Sequence, residues 1–336
     1  MRKKILICLD NSDQSNSGAR IGLEIAAYER AAATGCHVYA ANLHNDRFRQ
    51  MEAGLPPQYQ DHSRLKDQRE VHDTLISKGL RIISDSYNDV FLKTAREIGV
   101  EAGAIAREGK NFEEIVKEAS EGGYDLLVMG ASGLGMTTEG ALGSVCARVA
   151  RMAPCDVLVA RESPVDTDRS GAIIVAIDGS PRSFGGLLTA IELSKVFGRP
   201  VELISAYDTD NHRHAFRKVA GVLSEEAGRL FRFSEQEKLH EEVIDKGIGR
   251  IYQEHLATAA AIARKSGIAV KTTLLEGKAS DSVIGHAEAA RPFLLIAGKT
   301  GAHESPSLDI GSLTEKCLHL IRCNMLISSR RHDASA

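Results

Sequence analysis

A Gly-x-x-Gly followed nine residues later by Gly-Ser occurs twice in this chain. The first copy is Gly130, Gly133, Gly143 and Ser144; the second is Gly298, Gly301, Gly311 and Ser312. Each copy follows a short apolar run, at residues 126–129 and 294–297, and precedes a helical pattern. The order is strand, glycine-marked loop, helix start, which confines the chain to α/β architectures. Glycines let backbone approach a ligand closely, and the unpaired N–H groups of a helix start favour an anion such as phosphate. Ser144 and Ser312 are expected to cap their helices and to offer a hydroxyl to a phosphate oxygen. One Gly-x-x-Gly is most often only a turn. Two in the same context at the same spacing are a duplicated device.

The duplication extends well beyond the glycines. Asp10, Ser12 and Ser15 match Asp178, Ser180 and Ser183, and Gly99 matches Gly267. Glu108-Gly109-Lys110 matches Glu276-Gly277-Lys278, and Cys155 matches Cys323, always 168 positions apart. The register is expected to lapse between the first helix and the middle of each half, with a longer helix in the first copy and a longer insertion in the second. A repeat of this size is a whole domain copied once, not a solenoid of short units. The 336 residues therefore read as domains at 1–162 and 171–330, joined by a polar linker at 163–170.

Within the first half, residues 4–9 predict a buried strand ending near Asp10. A helix is predicted over 16–33, ended by Gly35, then a second strand over 37–43 and a surface loop over 46–60. Ile76, Leu80, Ile83, Tyr87 and Val90 predict the apolar face of a long helix that Gly99 stops. Strands at 100–106, 126–129 and 157–161 alternate with helices carrying Phe112, Ile115, Val116 and Ala119, and then residues 144–152. The second half repeats the plan, with Ser180-Pro181 as an N-cap and first-turn proline. Its strands are predicted at 173–177, 201–207, 270–275, 293–297 and 325–328. Ile244, Ile248 and Ile251 mirror Ile76, Leu80 and Ile83, and residues 330–336 are expected to be a disordered tail. Strands alternating with helices imply right-handed crossovers and a mainly parallel five-stranded sheet in each half, with helices on both faces.

A net charge of −3, with no dense Lys/Arg block, argues against a nucleic-acid partner. No apolar run reaches the roughly 20 residues that span a bilayer, so no membrane role and a cytoplasmic location are expected. The six cysteines form no Cys-x-x-Cys. Cys8, Cys36, Cys146 and Cys317 have apolar neighbours and read as buried small hydrophobes, leaving Cys155 and Cys323 as the pair open to a redox role. Among the 12 histidines, His212 and His214 sit in a polar stretch without the carboxylate or cysteine spacing that completes a metal site.

The glycine signature resembles the ATP-binding signature of the universal stress protein family, here in tandem over nearly the whole chain. The resemblance implies two flavodoxin-like or Rossmann-like domains and ATP, with Mg2+, as ligand. In the first half it assigns the nucleoside to Asp10 and Leu43 and the phosphates to Gly130, Gly133, Gly143 and Ser144, with Met129 and Val145 also at the site. In the second half it assigns the equivalent roles to Asp178, Tyr207, Gly298, Gly301, Gly311 and Ser312. The acidic residues Glu304 and Asp309 in the second signature loop make the first half the better ATP site. The resemblance also implies pairing of the two fifth strands as an internal pseudo-dimer, and the insertion helices offer a surface for a homodimer. No nucleophile–base constellation and no Walker lysine stand near the glycines. The expected function is thus nucleotide-dependent regulation under stress without catalysis. An ATP-independent metabolite carrier or scaffold and a slow ATPase are the other classes.

Overall fold

The structure, a computed structural model, describes residues 2–59, 62–134, 141–161, 171–208, 246–302 and 309–334. The chain divides into two compact units, Met1–Thr167 and Asp168–Ala336. The first unit runs β1 (Lys4–Cys8), α1 (Asp13–Glu29), β2 (Ala32–Tyr39), α2 (Ala41–Met51), α3 (His62–Ile98), β3 (Ala102–Glu108), α4 (Asn111–Gly122), β4 (Leu126–Gly130), α5 (Ser144–Met152) and β5 (Asp156–Ala160). Its sheet has the order β3-β2-β1-β4-β5, and every pair is parallel. Ile5, Leu6 and Ile7 of β1 and Leu126, Leu127 and Val128 of β4 are fully buried. They are the continuous apolar runs expected of strands covered on both faces.

The second unit runs β6 (Ile173–Ala176), α6 (Pro181–Phe197), β7 (Val201–Tyr207), α7 (Lys246–Lys265), β8 (Val270–Glu276), α8 (Ala279–Ala290), β9 (Leu294–Gly298), α9 (Ser312–Leu320) and β10 (Asn324–Ser328). Its order, β8-β7-β6-β9-β10, is again all parallel. In both units the order reverses between the first strand and the fourth. Such a switch point opens a crevice beyond the carboxyl ends of those two strands.

Six expectations are corrected. Helix α1 stops at Glu29, where Arg30 takes a left-handed conformation at φ 56°; the second unit puts Gly198 at the equivalent place, at φ 65°. Gly35 consequently lies inside β2, where a Cβ would come within 2.5 Å of the Phe91 ring, and the strand ends at Tyr39. Residues 41–51 of the expected second strand and loop are helix α2, followed by short 3-10 turns at Glu52–Gly54 and Pro57–Tyr59.

The repeat offset of 168 holds on both sides of the stretch where it was expected to lapse, and the second copy of that stretch, 209–245, lies outside the described residues. Tyr39 and Tyr207 end equivalent strands, and their carbonyls accept from the equivalent Gly109 and Gly277 amides. The buried face of α3 is Ser84, Asn88, Phe91 and Ala95, whereas Ile83 and Val90 are exposed. Ile251 is likewise exposed on α7, which buries Leu256, Ala259 and Ala263 instead. Ile244 lies outside the described residues. Finally, part of the tail is tied down. Arg330 pairs with Glu192 at 3.0 Å, and the His332 N–H donates to the Pro181 carbonyl at 2.8 Å.

Candidate functional site

Where β1 ends, the chain turns through Asp10 and Asn11 into α1. Ser12 is the N-cap and accepts from the Ser15 N–H at 3.2 Å. Asp10 is held by this turn: one carboxylate oxygen accepts from the Ser12 N–H at 3.0 Å and from its hydroxyl at 2.6 Å. The other oxygen lies against Gly133, where a Cβ would stand only 2.5 Å from it. The second glycine of the signature is therefore required for the aspartate to reach this position. The loop backbone is fixed as well, because the Ser132 N–H and hydroxyl both donate to Gln14 Oε1, at 2.8 and 2.9 Å. The Gly143 N–H donates to the Ala131 carbonyl at 2.7 Å, which draws the two ends of the signature together.

Helix α5 then opens toward this point. Its N-cap is Gly143, and no side chain caps it. Ser144 is the first helical residue and is exposed, so the expected capping by Ser144 does not occur; Ser312 behaves alike behind Gly311 in α9. A helix start without a capping side chain presents N–H groups and the positive end of the helix dipole to the crevice.

The first crevice has a volume of ≈ 420 Å³. Asp10, Met129, Gly130, Gly133, Gly143, Ser144 and Val145 all line it. Leu43 does not: it sits in α2, beyond the strand it was expected to end. His37, Val38, Asn111 and Ile115 line the crevice and were not anticipated. The repeat offset carries part of the missing signal, since Tyr207 at the end of β7 has Tyr39, not Leu43, as its counterpart; the residue before each, Val38 and Ala206, lines its crevice.

The electrostatics of this crevice are quiet. Burial pushes the Cys146 thiol up to about 12, and burial with the nearby Cys36, Cys146 and Asp10 raises Cys8 well above its ordinary value. Both thiols are protonated walls. Cys36 and Cys317 are buried too, as expected, as is Cys155, while Cys323 is half-buried. Burial lowers the His37 pKa although Asp10 pulls it upward, so the ring is neutral at pH 7; it packs edge-on against Tyr87 at 4.9 Å.

The second crevice, ≈ 330 Å³, repeats the frame. Asp178 accepts from the Ser180 N–H at 3.0 Å and hydroxyl at 2.6 Å, and its other oxygen accepts from the Ala302 N–H at 2.9 Å. That oxygen would meet a Cβ on Gly301 at 2.5 Å. Gly298, Gly301, Gly311 and Ser312 line the crevice as expected; Tyr207 does not, its neighbour Ala206 taking the place. The walls differ from those of the first. Tyr252 lines the second crevice where the first unit has Ser84, and burial together with Asp178 raises its phenol pKa. Glu315, in the first turn of α9, lines it where the first unit has Ala147. Asp309 is exposed, with Ile310 lining in its stead. Glu304, His212 and His214 lie outside the described residues. Among the described residues no group of three or more His, Cys, Asp or Glu could hold a metal ion. Nor is any described helix long and apolar enough to cross a membrane.

Each unit is thus an α/β domain of Rossmann-like order, with a glycine-bounded crevice at its switch point. The universal stress protein family matches the chain twice, over residues 1–161 and 170–329, and the chain belongs to that family. It is 27% identical over 161 residues to universal stress protein YxiE of Bacillus subtilis, which covers 48% of this chain and 100% of that one. Over 206 residues it is 25% identical to universal stress protein Rv2005c of Mycobacterium tuberculosis, spanning 60% of this chain and 63% of that protein. The crystal structure of a universal stress protein from Archaeoglobus fulgidus matches 98% of this chain and 97% of its own, with a TM-score of 0.58 at 16% identity, a likeness of fold.

Proposed function

We propose that the protein is an ATP-binding regulator of the stress response, with the first crevice as its nucleotide site. The observation that carries this reading is the uncapped start of α5 facing Asp10 across Gly133. A phosphate chain, with its Mg2+, fits the Ser144 and Val145 amides and the backbone of Gly130 to Gly133. Asp10 and Val38 fit the nucleoside. A crevice of ≈ 420 Å³ lies within the roughly 300–1,000 Å³ usual for small-molecule sites. Among the described residues, the titratable side chains lining it are Asp10, tied to Ser12, His37, and two protonated thiols. That set supports binding with a change of shape or partner as output, rather than turnover.

Ser144→Asp is the test. The side chain is exposed, so the substitution fits sterically, and a carboxylate at the first helical position stabilises the helix by about 0.3–1 kcal/mol while competing with phosphate. Calorimetric titration should show ATP binding to the native protein and at least tenfold weaker binding to the variant, with no loss of thermal stability. Absence of heat in the native protein, with no nucleotide released on denaturation, would overturn the reading. Single-turnover phosphate release faster in the native protein than in Ser144→Asp would replace it with an ATPase.

The second crevice favours a different ligand. Glu315 at the start of α9 opposes a phosphate chain, while Tyr252, where the first unit has Ser84, enlarges the aromatic wall. A less anionic metabolite suits it, and mass spectrometry of small molecules released from Ser144→Asp protein isolates that ligand from any nucleotide.

A further inference from the structure

A separate cavity of ≈ 230 Å³ lies between α1 and α3 of the first unit. Its floor is apolar and formed by Leu9, Ala19 and Phe91, all of them buried. Its rim is polar: Asn11, Asn16 and Arg20 come from the start of α1, Tyr87 and Thr94 from α3. The second unit shows the same place as a plain helix joint. At the offset of 168, Asn16, Arg20 and Thr94 become Phe184, Leu188 and Ile262. Phe184 is buried there, and Leu188 and Ile262 are half-buried. The turn is closed as well. Gly179, at φ 83°, stands where the first unit has Asn11 at φ 59°, and a Cβ on Gly179 would come within 2.4 Å of the His255 ring. Asn11 keeps the left-handed turn but carries an amide, whose oxygen accepts from Asn16 Nδ2 at 3.2 Å. Exchanging apolar for polar side chains here forgoes burial between the helices, which a bound ligand restores. An apolar floor beneath a few polar groups is the usual make-up of a small-molecule site.

Charge decides the class of ligand. Among the described residues, Arg20 is the only charged side chain that lines the cavity. Its Nε faces Glu24 at 3.5 Å, a surface pair of the kind that holds weakly. That leaves the terminal nitrogens of the guanidinium for a carboxylate, whose two oxygens match the fork. The Asn11 amide nitrogen and the Tyr87 hydroxyl add neutral donors. Arg20 would repel an organic cation, and an inorganic anion would leave the floor of Leu9, Ala19 and Phe91 uncovered. A cavity of about 150 Å³ holds benzene, so this one has room for a single ring and its carboxylate. We propose that the cavity binds a small monocarboxylate whose apolar body is about the size of one aromatic ring. The carboxylate sits on Arg20 and the body on Leu9, Ala19 and Phe91. The site is independent of what the first crevice binds.

The test titrates the full chain with benzoate, followed by ligand-observed magnetic resonance. Benzoate should bind at millimolar concentration or below, and benzylamine and benzamide at least tenfold more weakly. Asn16→Phe/Arg20→Leu/Thr94→Ile fills the cavity with the side chains of the second unit and should abolish binding. Arg20→Gln leaves the cavity open at an exposed position, where folding is not at stake, and should weaken benzoate at least tenfold. Leu9 also lines the first crevice, and the start of α5 there attracts anions, so the two sites must be separated. Ser144→Asp does this: it should bind benzoate as tightly as the native protein. Loss of binding in Ser144→Asp would move benzoate to the first crevice and overturn the proposal. No binding to the native protein, equal binding of benzylamine, or undiminished binding in the triple variant or in Arg20→Gln would each overturn it too.

Discussion

At the scale of single residues, the crevice depends on what a glycine leaves out. Gly133 gives up its side chain to Asp10, whose carboxylate is also fixed by Ser12. Gly133→Ala should expel the carboxylate or push the loop outward. The expected cost is about 1–3 kcal/mol of stability with at least tenfold weaker nucleotide binding, read by denaturant titration and calorimetry. Gly301→Ala, facing Asp178, should cost similar stability and leave binding in the first crevice intact. His37 makes a prediction about pH. Burial holds its folded pKa below the ordinary value near 6.5, so the unfolded chain takes up more protons as pH falls. Stability should therefore decline as pH drops below about 6.5 and level off once the folded ring also protonates. In His37→Asn that part of the decline should vanish. Urea midpoints that run parallel for the two proteins between pH 7 and 5 would contradict it.

At the scale of elements, the strands were the legible part. Continuous apolar runs such as residues 126–129 have one good reading, and β7 and α5 lie where the pattern puts them. The boundary between α1 and β2 was hidden by composition. Ala31, Ala32 and Ala33 favour a helix, and the chain stops α1 with Arg30 in a conformation that glycine adopts at little cost. The second unit shows the ordinary solution, Gly198, so superposing the two copies would have exposed the true end and with it the misplacement of Leu43. The same comparison yields a test. Arg30→Gly should relieve the left-handed strain and stabilise the protein by about 0.5–1 kcal/mol, and Gly198→Ala should destabilise it by a similar amount. Thermal shifts of opposite sign are the expected result. The buried face of α3 was misread for a different reason: the spacing of Ile76, Leu80, Ile83, Tyr87 and Val90 marks an apolar side, but periodicity does not say that the sheet covers it, and Ile83 and Val90 are exposed. The glycine signature was legible because its spacing is repeated, yet the caps of α5 and α9 were assigned one residue late, to the serines instead of the glycines.

At the scale of the whole molecule, one gene duplication has been allowed to diverge where ligands would touch and kept where the backbone turns. Both units retain the aspartate, its serine and the opposing glycine, while Ser84 and Ala147 became Tyr252 and Glu315. The conserved parts build a crevice; the altered parts choose its occupant. If ATP selects the first crevice, its binding free energy stabilises that unit alone, by about 2.7 kcal/mol when free ATP is a hundredfold above the dissociation constant. Hydrogen exchange resolves the two units because each strand reports its own opening. Adding ATP should slow exchange at residues 8–16, 129–134 and 141–148, and leave the equivalent segments 176–184, 297–302 and 309–316 unchanged. In Ser144→Asp the first set should lose this response. Equal protection of both sets in the native protein would mean that Glu315 does not discriminate against phosphate, and that the two crevices are one site used twice.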